Sequence, residues 1–174
     1  MDGIFHDWLE GRGPVGCLMT MTDDATGRVL AQIAKEETLW AAAAVLRGWI
    51  DLYGVPRALY TDWKNIYHSR DREKRPLSQF GLMCSKLGIK IIAASSPQAK
   101  GRVERTHGTN QDRLIKKLRL QGISDYEEMN RYLREQYLPA HHARFAHAAQ
   151  SDADSHLPVH SRCHHKALDI RCMS

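Results

Sequence analysis

The chain has 174 residues, 43% of them hydrophobic and 26% charged, with a net charge of +5. That length suits one globular domain with a real core, and no apolar run approaches the ~20 residues of a membrane-spanning helix. Four scattered cysteines argue against a disulfide framework. The acidic opening "MDGIFHDWLEGRG" lacks the basic head and apolar middle of a secretion signal, so a cytoplasmic location is expected.

A short first strand opens at Asp2. "VGCLMTMTDDATGRVLAQIA" then places two apolar runs around the turn Asp23-Asp24-Ala25-Thr26-Gly27, which predicts a β-hairpin over residues 15–34. In "EETLWAAAAVLRGWIDLYG", Leu39, Ala42, Ala43, Leu46, Trp49, Ile50 and Tyr53 recur at helical spacing, and Gly54 with Pro56 stops the helix. "RALYT" is a short buried strand ending at Asp62, and the polar residues 63–75 form a loop. "PLSQFGLMCSKLG" reads as a helix with Pro76 near its start, and "IKIIAASS" as a strand that Pro97 ends. A long basic helix over 97–121 follows. An amphipathic helix, "SDYEEMNRYLREQYL", is next, with Ser124 and Glu127 as its capping box. The order β, ββ, α, β, α, β, α, α is an α/β pattern. Cys17 and Cys84 fall in the apolar runs and read as small buried hydrophobes. From residue 147 on, five of the ten histidines and two of the four cysteines crowd into 28 residues without a sustained period. Residues 1–146 are therefore expected to form the domain and 147–174 a disordered tail.

Three carboxylates occupy similar places: Asp2 at a strand start, Asp62 at a strand end, and Glu104 in the first turns of the basic helix. One edge of a sheet is where α/β folds collect their sites, and converging acids can hold a pair of hard divalent cations. Taken singly, an Asp after a strand is ordinarily a turn residue, and a Glu in a first turn complements the helix dipole. Asp7, Asp23 and Asp24 compete with Asp2 for the first position, and spacing does not choose among them.

Four ordered motifs, "DGIFHDWLEGRG", "TDDATGRVL", "YGVPRALYTDWKNIY" and "SPQAKGRVERTHGTNQDRLIKKLR", resemble the integrase catalytic core of bacterial insertion-sequence transposases, from Asp2 to about Phe145. The resemblance implies a ribonuclease-H-like mixed sheet flanked by helices, with a C-terminal helical extension. It also implies catalytic, metal-binding acids at Asp2, Asp62 and Glu104, with Asp24 a structural acid of the second-strand turn. The implied cofactor is Mg²⁺ or Mn²⁺, as two ions. The implied reaction is DNA cleavage followed by strand transfer on element ends and target DNA, by a chain that assembles as a homo-oligomer. Trp63, Lys64 and Asn65 then become candidates for positioning DNA.

Between Pro97 and Arg119, Lys100, Arg102, Arg105, Arg113, Lys116, Lys117 and Arg119 stand against only Glu104 and Asp112, so this segment alone matches the net charge of the whole chain. Beside a metal site such a face suits phosphate binding; by itself it is a solvated helix. The tail residues His156, His160, Cys163, His164, His165 and Cys172 match no zinc-binding spacing.

Three features depart from the family. Relatives carry an N-terminal helix-turn-helix region that recognises element ends, whereas this chain begins at its first catalytic residue. The interval from Asp62 to Glu104 is widened by "HSRDREKRP", and the tail does not resemble the family's continuation. A truncated reading frame is therefore expected, which leaves activity open. The alternative is an inactive remnant that binds DNA non-specifically or associates with a full-length transposase.

Overall fold

A computed structural model describes residues 1–62, 66–67, 77–93, 113–149 and 156–157. They form a mixed α/β structure divided into two compact units. Among the described residues no helix is long and apolar enough to cross a membrane.

The first unit is antiparallel. Strands β1 (Asp2–His6), β2 (Gly16–Thr22) and β3 (Val29–Ala34) pair in the order β1-β2-β3, with Asp2 opposite Thr20 and Thr20 opposite Ala31. The hairpin falls where the apolar runs predicted it. Its turn is organised by Asp23, whose carboxylate accepts the Thr26 hydroxyl and the Ala25 N–H, while Asp24 beside it is exposed. Between β1 and β2, Trp8 is buried and its indole N–H donates to the Gly16 carbonyl at 3.1 Å.

Helix α3 (residues 113–120) drives Leu114 and Leu118, one turn apart, into a core shared with Trp8, Leu18, Val29 and Ile33. Helix α4 (Tyr126–Tyr132) follows, then a π turn (Leu133–Tyr137) and α5 (Leu138–Phe145). Two local expectations are corrected here. The cap of α4 is Asp125, whose carboxylate accepts the Glu128 N–H at 2.8 Å, one residue beyond Ser124. Being charged, Asp125 is the stronger acceptor at a helix N-terminus. The helical run also continues past Leu138 through Pro139 to Phe145. The π turn just before Pro139 shifts the carbonyl ladder by one residue, so that the Leu138 N–H donates to the Leu133 carbonyl.

These helices close the outer edge of β3 with side chains. Asn130 accepts the Ile33 N–H at 2.8 Å and donates back to the Ile33 carbonyl at 3.0 Å, as a neighbouring strand would. Nε2 of His142 lies 2.9 Å from the Val29 nitrogen and 2.8 Å from its carbonyl oxygen. An open edge would otherwise template pairing with another chain.

The second unit is built on a parallel pair. Helix α1 (Leu39–Tyr53) starts at Thr38, whose hydroxyl accepts the Ala41 N–H, and stops at Gly54, whose φ of 92° favours glycine. Strand β4 (Val55–Pro56) pairs with β7 (His156–Leu157), so two residues of the expected tail add a short strand here. Strand β5 (Ala58–Thr61) runs parallel to β6 (Lys90–Ala93), and α2 (Gln79–Lys86) lies between them in sequence as in a βαβ crossover. Ser78 caps α2 and also donates to the Tyr67 carbonyl; Pro76 lies outside the described residues. The Met1 nitrogen, which belongs to this unit, donates to the Tyr60 carbonyl at 2.7 Å. Cys17 and Cys84 are both buried, as expected, and burial pushes the Cys84 thiol up to about 12, which keeps it protonated and inert.

Candidate functional site

Asp62 directly follows β5, at the carboxyl edge where β6 also ends, with Thr61 opposite Ala93. Carboxyl ends of parallel strands are where a sheet presents ligands to a site. Asp2 opens β1, half-buried, and its Oδ1 accepts the Gly3 N–H at 2.8 Å. Side chains close in on Gly3: a Cβ there would lie 2.8 Å from both the Glu37 carboxyl carbon and the Met19 sulfur, so these side chains would have to shift. Asp2 and Asp62 belong to different units. Glu104 lies outside the described residues, as do Trp63, Lys64, Asn65, Lys100, Arg102 and Arg105. Among the described residues no three His, Cys, Asp or Glu side chains gather as a metal-ligand set.

Two of the acids that competed with Asp2, Asp7 and Asp23, have backbone duties. Asp7 accepts the Gly11 N–H through both carboxylate oxygens, at 3.2 and 3.0 Å, where Glu10 and Gly11 take positive φ. Asp23 holds the hairpin turn. An acid spent on its own loop is a poor candidate for chemistry. Directly across from Asp2, Thr20 is 4% exposed, and its Oγ1 has no hydrogen-bond partner among the described residues. An orphaned buried hydroxyl costs about 1–3 kcal/mol, and nothing in the spacing of "GCLMTMT" singles this one out.

On α3, Leu114 and Leu118 face the core while Arg113, Lys116 and Lys117 are exposed. The Arg113 guanidinium lies 5.1 Å from the Phe145 ring centroid, and Lys117 Nζ lies 5.4 Å from that of Tyr137. Tyr137, His141 and Phe145 stand four residues apart along the helical run, with His141 4.9 Å from Phe145. Burial pushes the Tyr137 phenol up to about 12. Burial, with His142, Arg113 and Lys117 nearby, pushes the His141 imidazole down. The ladder therefore presents neutral rings to the two cations, each contact worth about 0.5–1 kcal/mol. Arg119 reaches Glu10 through two hydrogen bonds, one of 2.7 Å, and Arg12 joins them at 3.1 Å. The Arg119 and Arg12 guanidiniums hold the Glu10 carboxyl down at about 2. The raw charge count of this segment thus overstates its field, because the Arg119 charge is matched by Glu10; Arg113 and Lys117 keep their charge while they pack on rings.

No family model matches the chain. It is 34% identical over 163 residues to an inferred transposase of Sinorhizobium fredii, covering 91% of this chain and 35% of that protein. It is 37% identical over 140 residues to the transposase for insertion sequence IS1202 of Streptococcus pneumoniae, covering 76% of this chain and 30% of that one. The chain thus spans about a third of the length of the curated relatives it matches. Its fold is similar to that of the HTLV-2 integrase catalytic core domain, solved in complex with magnesium, with a TM-score of 0.58 at 22% identity over 76% of this chain and 79% of that one. The mixed α/β architecture is thereby the ribonuclease-H-like fold of integrase catalytic cores.

Proposed function

We propose that the chain is the catalytic core of a DDE-type transposase and performs metal-dependent phosphodiester cleavage and strand transfer on DNA, with Asp2, Asp62 and Glu104 as the acids that carry the reaction. The observation that carries this reading is the identity to two transposases, over 91% and 76% of this chain.

The side chains fit a divalent cation. Asp2, Asp62 and Glu104 offer only hard carboxylate oxygens, and the unpaired Thr20 hydroxyl beside Asp2 suits an anionic or hydrated neighbour. Bound Mg²⁺ or Mn²⁺, as two ions, supplies an activated oxygen nucleophile and neutralises the leaving oxygen. Asp62 projects from a strand end fixed by the β5–β6 pairing. Asp2 is held on a strand paired along its whole length with β2. Lys116 supplies positive charge at the surface of α3, with Arg113 and Lys117 exposed beside aromatic rings; Lys64, Lys100, Arg102 and Arg105, outside the described residues, are proposed as DNA contacts from the sequence alone. Element ends and target DNA as substrates, homo-oligomeric assembly and a cytoplasmic setting belong to the same proposal; the magnesium of the HTLV-2 core supports the choice of cation.

A strand-transfer assay on labelled duplex DNA with Mg²⁺ or Mn²⁺, comparing the wild type with Glu104→Gln, tests it. Metal-dependent joining by the wild type and its loss in the variant are expected. Absence of joining in both proteins, with DNA still bound, would leave the non-catalytic DNA-binding reading in its place.

A further inference from the structure

The register of the antiparallel sheet sets Asp2, Thr20 and Ala31 in one row across β1, β2 and β3. Residues directly opposed on antiparallel strands project to the same face, with Cβ atoms about 4.5–5.5 Å apart. The next row on that face is Ile4, Leu18 and Ile33, so Thr20 stands among apolar neighbours on its long side. Within its own row one neighbour is a methyl group and the other a carboxylate. Thr20 is 4% exposed and its Oγ1 is unpaired among the described residues, although valine would fill the same space without a buried hydroxyl. In the structure, Oδ1 of Asp2 accepts the N–H of Gly3 on its own strand.

We propose that Thr20 is a positioning residue for Asp2: its hydroxyl donates to the Asp2 carboxylate when that carboxylate binds a divalent cation, and holds it in the cation-binding rotamer. The inference rests on the reading of Asp2 as a cation ligand. It accounts for a hydroxyl that the fold alone leaves without use. A donor of this kind fixes one carboxylate oxygen and leaves the other directed at the cation. Such outer partners of a ligand commonly carry about 10–100-fold in metal affinity. Serine keeps the donor and valine removes it, so the two variants separate the hydroxyl from the volume of the side chain.

The test is Mn²⁺ binding to the full chain by titration calorimetry, for the wild type, Thr20→Val, Thr20→Ser and Asp2→Asn, together with thermal midpoints in the absence of metal. Thr20→Val is expected to weaken Mn²⁺ binding by roughly tenfold, with a metal-free midpoint at or above that of the wild type because the unpaired hydroxyl is gone. Thr20→Ser is expected to bind much as the wild type does, and Asp2→Asn to lose binding most. Wild-type affinity in Thr20→Val, beside lost affinity in Asp2→Asn, would overturn the role of Thr20 and leave Asp2 a ligand. Wild-type affinity in Asp2→Asn would overturn the ligand reading, and the positioning role with it.

Discussion

The two units handle their polar side chains differently. In the antiparallel unit they are largely spent on backbone: Asp7 on Gly11, Asp23 on Ala25, Asn130 on Ile33 and His142 on Val29. A three-stranded sheet has an outer edge, and here that edge is closed by amide and imidazole groups delivered from helices more than 90 residues away in sequence. In the parallel unit Asp62 stands at the carboxyl edge of a strand pair, the position a crossover topology leaves for ligands. Asp7 and Asp23 are accounted for by the turns they hold, a duty that their place in the sequence does not reveal. Asp23 and Asp62 both follow strands; one of them folds the hairpin.

That contrast is broken most directly by exchanging each acid for its amide. Asp62→Asn is expected to lower the strand-transfer rate by roughly 10³-fold, the loss of several kcal/mol of charge stabilisation. Asp23→Asn is expected to retain the rate and lose about 1–2 kcal/mol of stability, because the turn loses a charged acceptor. Rates and urea denaturation curves on the same two proteins check both halves. A folded Asp23→Asn as inactive as Asp62→Asn would erase the distinction.

A smaller effect tests the sealed edge. Asn130→Ala leaves the Ile33 N–H and carbonyl without their partner, at a cost of about 1–3 kcal/mol. It also opens β3 to pairing with other chains. Denaturant unfolding should register the first effect and sedimentation at rising concentration the second. A variant with unchanged stability and no self-association would show that water replaces Asn130 at no cost.

Such edge contacts mark where sequence reading stops. Helix α1 was legible because its apolar residues recur at helical spacing and Gly54 ends it, and the hairpin because two apolar runs flank a turn with a glycine. Asp62 was legible as the residue after a strand, and the motif resemblance pointed to Asp2 and Glu104. Periodicity carries no trace of Asn130 pairing with a strand 97 residues earlier, or of a π turn just before Pro139. Thr20 was invisible for the same reason: its isolation depends on which residues β1 and β3 set beside it.

The smallest expected effect concerns the link between the β1–β2 connection and the far end of α3. Hydrogen bonds from Arg119, then Arg12, hold Glu10 at about 2, below the ordinary carboxylate value of 4.5. A carboxylate whose value falls on folding adds stability that is fully present above about 4.5 and is lost as the pH falls toward 2. The pair is solvent-exposed, so the contribution is modest and screened by salt. The stability difference between the wild type and Glu10→Gln should therefore be constant near neutrality, shrink below 4.5, and narrow at high salt at any pH. A difference that persisted at the acid end would assign the effect of Glu10 to side-chain packing instead of charge. The anchoring of α3 would then rest on packing: Leu114 and Leu118 in the core, and Arg113 and Lys117 against the Phe145 and Tyr137 rings.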